Sequence, residues 1–556
     1  MIDQLATIDG PTGRASFGLY AGTAAWRFRL AFALICVGAG LLSVMLGPDG
    51  YWDLRYYHLY APWAYLHDRY LYDVGPAQEQ GFLNPVADFL FYGLISSPLN
   101  EWPRVIAFIM GALHGINAAL LFRIVREVVR PVEAVERMTL RAVAWLMGVS
   151  GAGFISLLGT ATNDLTSAMF VLASLYGLVR VAEHQGGDRA WRGFAAAGLW
   201  AGLGIGLKYT SAPFVPGLGA VLLLAAFQRR TVAGVIAYGG TAAVAFFAVA
   251  GHHMLTLWRD FGNPTFPYLN QVFRSPYFEP IAIRDDRFIP ASLWQLITFP
   301  FHWTVADTYI VVEPAFRDWR AALAYVAVAA ALLALAVRYL RRRDRAVPAS
   351  MPTRGFGLIV TFAAVSYFSW ALGFGYYRYA VPLEMLTGVV TVGALTFIFE
   401  DRRLRIIAAL AALAIAASTT VYIDWSPMGH GPGRGRFGEK YVDVEVPPLP
   451  DNGIVLIATW DPVAFFIPYA NPAVQYLGIE NNYLELSQHN ILATRVKQLM
   501  RTPGRPKFVL SVDEFNAPKL NGLLANFGLQ LADRSCEPIR TNLEGHALSL
   551  CPVADD

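Results

Sequence analysis

The chain has 556 residues, 55% of them hydrophobic and only 15% charged, with a net charge of +3 and a mean hydropathy of +0.40. A soluble chain carries roughly 25% charged residues, so this composition predicts an integral membrane protein. So small a net charge gives no reason to expect a nucleic-acid partner.

The first 29 residues are mixed, with Arg14, Arg27 and Arg29, and the apolar run 30–47 reads as a retained span rather than a cleaved signal. Further runs long enough to cross a bilayer, roughly 17–25 residues, lie near 104–122, 142–159, 165–182, 193–207, 210–227, 232–250, 321–337, 356–375, 380–399 and 406–422. The expected fold is therefore a polytopic α-helical membrane protein of about 11 transmembrane helices.

The arginines orient it. Alternate connections hold Arg14/Arg27/Arg29, Arg123/Arg126/Arg130/Arg137/Arg141, Arg180/Arg189/Arg192, Arg229/Arg230, Arg338/Arg341/Arg342/Arg343/Arg345/Arg354 and Arg402/Arg403/Arg405. These are 22 of the 44 basic residues, whereas the short opposite turns offer little beyond Lys208 and Arg378. Positive charge collects on the cytoplasmic side, which puts the N-terminus in the cytoplasm and the C-terminus outside, with the bacterial inner membrane as the expected location.

Three long segments then fall outside. In the first, 48–103, the apolar stretch 82–98 between Pro85 and Pro98 reads as one helix lying along the interface. The second is 251–320. The third, 423–556, opens with the Gly/Pro/Arg linker 428–438 and continues as a small periplasmic α/β domain after a transmembrane domain over 1–422. Runs 454–458 and 507–512 read as buried parallel strands, 486–500 and 516–527 as helices, and 529–553 as an antiparallel pair. Cys536 and Cys551 could bridge there, a closure that contributes about 3 kcal/mol, or remain two buried thiols; Cys36 lies within the first span.

Candidate chemistry gathers on the outer side. Residues 47–62, GPDGYWDLRYYHLYAP, put Asp53 among Tyr56, Tyr57, His58 and Tyr60 directly after a span. A carboxylate there can act as a general base, and burial against the aromatics would raise its pKa toward a useful range. The plainer readings are a loop aspartate or a helix cap. Asp49, in Pro-Asp-Gly, is expected to be a turn residue. Asp164 opens a span in Thr162-Asn163-Asp164, where helix capping competes with a site role; with Asp53 it could also hold a divalent metal. Lys208, in GLGIGLKYTSAP, could meet a phosphate or simply snorkel at the interface. Arg378, in YYRY, could take a phosphate bidentately or pair internally with Glu384 or a loop carboxylate. No P-loop, dinucleotide fingerprint, HExxH or GxSxG stands in a supporting context.

This arrangement resembles the C-type (GT-C) glycosyltransferases over residues 30–400. The likeness rests on the early Asp53 in the first outer loop, Asn84-Pro85 where relatives carry His-Pro or Lys-Pro, Asp164 in a later outer loop, the Gly202–Lys208 segment, and Arg-Tyr-x-x-Pro from Arg378. More narrowly, WDLRYYHLYAPWAYL and RYAVPLEML look like a group of Gram-negative inner-membrane proteins. The resemblance implies a polyprenyl-phosphate sugar donor held in the bilayer and a lipid, glycan or protein acceptor. It also implies Asp53 as base, Arg378 and Lys208 on the donor phosphate, and Tyr57, His58 and Asp164 positioning the acceptor or sugar; with the donor already activated no nucleotide is needed, and a divalent metal stays an open alternative. The rivals are a transporter or flippase, which should show repeats and broken helices at the midplane, and an O-antigen polymerase or ligase.

Overall fold

The computed structural model describes residues 17–184, 190–307, 309–340, 354–425, 435–512, 516–532, 535–543 and 545–555. Arg14, Arg189, Arg341, Arg342, Arg343, Arg345 and residues 428–434 of the linker lie outside the described residues.

Every apolar run contains a helix. Seven described helices are long and apolar enough to cross a membrane: Trp26–Leu46, Pro103–Val128, Asp164–His184, Val232–Phe261, Arg320–Leu340, Arg354–Gly373 and Tyr377–Ile398. The other runs hold Ala134–Val149, Ala190–Leu207, Phe214–Arg229 and Arg402–Thr419, which are 16 to 18 residues long. Helix starts follow local rules. Thr231 caps Val232–Phe261 through the Gly234 amide, and Asp401 caps Arg402–Thr419 through the amides of Arg403 and Leu404.

Glycine sets how Ala190–Leu207 meets Val232–Phe261. A Cβ at Gly202 would stand 2.1 Å from the Ala242 carbonyl oxygen, and one at Gly198 2.2 Å from that of Tyr238. Small residues four apart let the two backbones touch, and this contact fixes where the first helix ends and Lys208 begins.

The interface helix expected over 82–98 is broken. Short turns at Gln78–Phe82, Pro85–Asp88 and Pro98–Glu101 flank one helix of seven residues, Phe89–Ile95. Proline restarts the chain at Pro85 and at Pro98, where it lacks the N–H a continuing helix needs. Asn84 caps the second turn at the Val86 amide and donates from Nδ2 to the Gly206 carbonyl at 2.7 Å, tying the first outer loop to the helix that precedes Lys208.

The tail forms one mixed sheet of strands β1 (Val444–Glu445), β2 (Ile454–Ile457), β3 (Gln475–Gly478), β4 (Lys507–Val512), β5 (Leu529–Leu531), β6 (Glu537–Thr541) and β7 (Leu548–Asp555), in the order β1-β6-β7-β4-β2-β3 with β5 also on β7. β2 pairs in parallel with both β3 and β4, while β7 runs antiparallel to β4, β5 and β6. The region read as one antiparallel pair thus holds three strands, and Cys536 is bonded to Cys551. Helices Ile491–Met500 and Ala517–Leu524 occupy the two expected helical stretches.

The loop between the first two long helices docks on this sheet. Val74 bridges Leu477 in parallel, its amide donating to the Tyr476 carbonyl and its carbonyl accepting from Gly478. Arg69 makes a two-pronged pair with Asp73 and donates to the carbonyls of Pro472 and Val474, and the Tyr476 amide donates to Asp73. The loop therefore continues the β3 edge, and the tail is built onto the segment that carries Asp53.

Candidate active site

Asp53 already has helical backbone angles and leads into a wide helical turn, Leu54–His58, all of it buried. Its side chain makes no capping hydrogen bond, which removes the helix-cap reading. The carboxylate meets Arg378: Nη2 lies 2.7 Å from Asp53 Oδ2, and both side chains are about nine-tenths buried. The Tyr57 hydroxyl is 3.4 Å from the same oxygen and His58 Nε2 is 4.0 Å away.

Asp164, the first residue of its helix, completes the cluster from the other side. Its Oδ1 pairs with Lys208 Nζ at 2.7 Å, and its Oδ2 lies 3.5 Å from Arg378 Nε. Lys208 also donates to the Thr162 carbonyl. Four separated parts of the chain thus deliver two carboxylates and two cations to one buried place, at helix ends rather than at helix middles. Tyr379 roofs the cations, its ring 5.4 Å from the Arg378 guanidinium carbon and 5.7 Å from Lys208 Nζ. Beside them runs a small crevice lined by Asp164, Ser167, Thr210, Ser211, Arg378 and Tyr379.

The electrostatics correct one expectation. Burial does push the Asp53 carboxyl up, but the charges of Arg378, His58 and Lys208 outweigh it and hold the group below its ordinary 3.8. Burial pulls the Lys208 ammonium down, Asp164 opposes this, and Arg378 reinforces it. Tyr57 is raised by burial and by Asp53, so its hydroxyl stays protonated as a donor.

Of the internal partners open to Arg378, it takes the loop carboxylate, Asp53. Glu384 instead accepts from the amides of Gly153 and Phe154 and from the Tyr377 hydroxyl. Asp49 is more than a turn residue: besides the Tyr51 amide it accepts from the Ala161 amide at 2.7 Å, stapling the first outer loop to the loop that ends at Asp164.

Asp88 was not singled out from the sequence. It lies in the broken stretch after Pro85, with Oδ1 2.6 Å from His58 Nδ1 and accepting from Asn163 Nδ2 as well. Asn163 adopts a left-handed φ of 61°, a conformation that asparagine tolerates better than most residues, and so turns its amide toward Asp88. Asp88 therefore fixes His58 and, through Asn163, the start of the Asp164 helix. The available signal was a carboxylate inside an otherwise apolar run, NPVADFLFY. Among the described residues no group of three or more His, Cys, Asp and Glu side chains could hold a metal ion.

Residues 90–254 match the family model described as dolichyl-phosphate-mannose-protein mannosyltransferase. That stretch includes Asn163, Asp164 and Lys208 and stops short of Arg378. No curated protein matches the chain. Among solved structures the chain is similar to ArnT from Cupriavidus metallidurans bound to undecaprenyl phosphate, with a TM-score of 0.48 and 10% sequence identity, over 96% of this chain and 98% of that one. The resemblance to membrane glycosyltransferases drawn from the sequence motifs is borne out by the family match.

Proposed function

We propose that the protein is an integral-membrane glycosyltransferase that moves a sugar from a polyprenyl-phosphate donor to a hydroxyl of a lipid, glycan or protein acceptor, at the periplasmic face of a bacterial inner membrane. The observation that carries this reading is the buried convergence of Asp53, Asp164, Lys208 and Arg378. The family match supports the donor class, since its description names a dolichyl-phosphate sugar.

In this mechanism the donor phosphate competes with Asp53 for Arg378. Among the described residues Arg378 Nε has no hydrogen-bond partner, so the guanidinium retains donor capacity for a planar, two-pronged contact with phosphate oxygens. As Arg378 turns to the phosphate, Asp53 loses its strongest opposing charge and becomes more basic. Asp53 then takes the proton of the acceptor hydroxyl while that oxygen attacks the anomeric carbon. The bond from that carbon to the phosphate oxygen breaks, and the polyprenyl phosphate leaves with its charge balanced by Arg378 and Lys208. Tyr57 steadies the Asp53 oxygen, and His58, held by Asp88, lines the acceptor side.

The test is binding and transfer in lipid nanodiscs. Wild-type protein should bind undecaprenyl phosphate, and Arg378→Ala should weaken that binding by about 10-fold or more, the loss of one charged hydrogen-bonded contact. Equal binding by the variant would remove Arg378 from the donor site.

A further inference from the structure

The first outer loop carries a second polar cluster that the mechanism above does not use. After Val74 joins the tail sheet, the chain turns through Gln78–Phe82, with Gln78 at a φ of 53°. The turn presents Gln78, Glu79 and Gln80 in succession, and Glu79 is only 7% exposed. Glu79 Oε1 accepts from Gln80 Nε2 at 3.0 Å and from Asn482 Nδ2, on the tail, at 3.2 Å. Yet Glu79 Oε2, Gln78 Oε1 and Gln80 Oε1 are buried with no hydrogen-bond donor among the described residues.

An unmet buried acceptor costs about 1–3 kcal/mol, and three in one turn is a concentration that a purely structural loop has no reason to keep. What they lack is donors. The surroundings narrow the donor's chemistry. The Glu79 charge acts on the phenols of Tyr56, Tyr268 and Tyr483; Tyr483 is already stacked on Phe278, which leaves the rings of Tyr56 and the half-buried Tyr268 close by. Tyr56 also feels the charge of Asp53, which places this cluster one aromatic residue away from the proposed base. Acceptor oxygens, one amide donor and aromatic faces together suit a sugar ring, whose hydroxyls donate and whose C–H faces pack on tyrosine. An anionic ligand would be repelled by Glu79 wherever its carboxyl, lifted by burial to about 7, is ionised. Asn482 is exposed and bridges Glu79 to solvent, so its side chain can swing aside to admit a hydroxyl.

We propose that Gln78, Glu79, Gln80 and Asn482 form a subsite that recognises hydroxyl groups of the acceptor's sugar ring, beside Asp53. This assignment rests on the glycosyl-transfer reading. It takes the acceptor rather than the donor because the turn is joined to the tail sheet, whereas Arg378 and Lys208 stand at membrane-helix ends.

The experiment uses full-length protein in nanodiscs and saturation-transfer NMR with the methyl glycosides of glucose, mannose and N-acetylglucosamine, alongside undecaprenyl phosphate binding on the same samples. Wild type should bind at least one glycoside. Asn482→Ala, an exposed position that leaves the fold intact, and Glu79→Gln should each weaken it by about 5-fold or more, one hydrogen bond's worth, with undecaprenyl phosphate binding unchanged. Unaltered glycoside binding in both variants overturns the subsite, as does a wild type that binds no glycoside. Parallel loss of both ligands in Asn482→Ala overturns its assignment to the acceptor. Glycoside binding without undecaprenyl phosphate binding leaves the subsite standing and sinks the transfer reading instead.

Discussion

Asp53, the group proposed as base, is ion-paired with Arg378 in a buried place. Because Arg378, His58 and Lys208 keep the Asp53 carboxyl below 3.8 despite burial, Asp53 stays ionised across neutral pH. An acid limb due to its protonation in the donor-free protein should fall below that value in wild type. Replacing Arg378 with alanine removes the largest opposing charge, so the acid limb of the residual activity should move upward in a pH–rate profile; an unmoved limb would contradict the pairing. Glu79 behaves oppositely. Burial lifts its carboxyl to about 7 from an ordinary 4.5. The folded state therefore gains relative stability below 4.5 and loses it as pH rises through 7, where the buried group must ionise. Glu79→Gln should accordingly raise the thermal midpoint at pH 8 and leave it nearly unchanged at pH 4. A midpoint lowered at pH 8 would mean that the ionised carboxylate is stabilising.

At the scale of elements, close helix contact positions Lys208. Gly202→Ala would drive a methyl group to 2.1 Å from the Ala242 carbonyl oxygen, and overpacking of this kind costs about 1–3 kcal/mol. The expected result is a lowered thermal midpoint in detergent and weaker donor binding through displaced Lys208; an unchanged midpoint would show that the helices separate freely. Much of this layout was legible in the sequence. Asp53, Asp164, Lys208 and Arg378 each sit at the end of an apolar run on the arginine-poor side, so their shared face followed from span counting. Their pairing did not, since it depends on loop paths that only tertiary packing sets. Asp88 was hidden because hydropathy reads 82–98 as a single apolar helix, and the prolines that break it show their effect only once Asn84 is tied to Gly206. Strand β3, QYLG, is too short and too mixed to announce itself, yet its edge receives Val74.

For the whole molecule, the tail and the long helices are joined through the loop that carries Asp53. The turn Leu54–His58 packs on the tail segment Ala464–Tyr469, with the Arg55 guanidinium carbon 5.0 Å from the centre of the Phe465 ring. Arg69 and Asp73 fasten the same loop to β3. Removing one member of such a buried pair costs about 3–5 kcal/mol, so Arg69→Ala should speed hydrogen exchange at the Val74 and Gly478 amides by about 100-fold or more. Exchange at the wild-type rate would mean that the docking rests elsewhere. The central claim is that the loop so held presents a base. Its most direct test is sugar transfer from undecaprenyl-phosphate-linked donors by Asp53→Asn, measured with undecaprenyl phosphate binding on the same preparation. The account predicts that binding persists while transfer falls by about 10²–10⁴, the usual contribution of a general base. Transfer at the wild-type rate would contradict it.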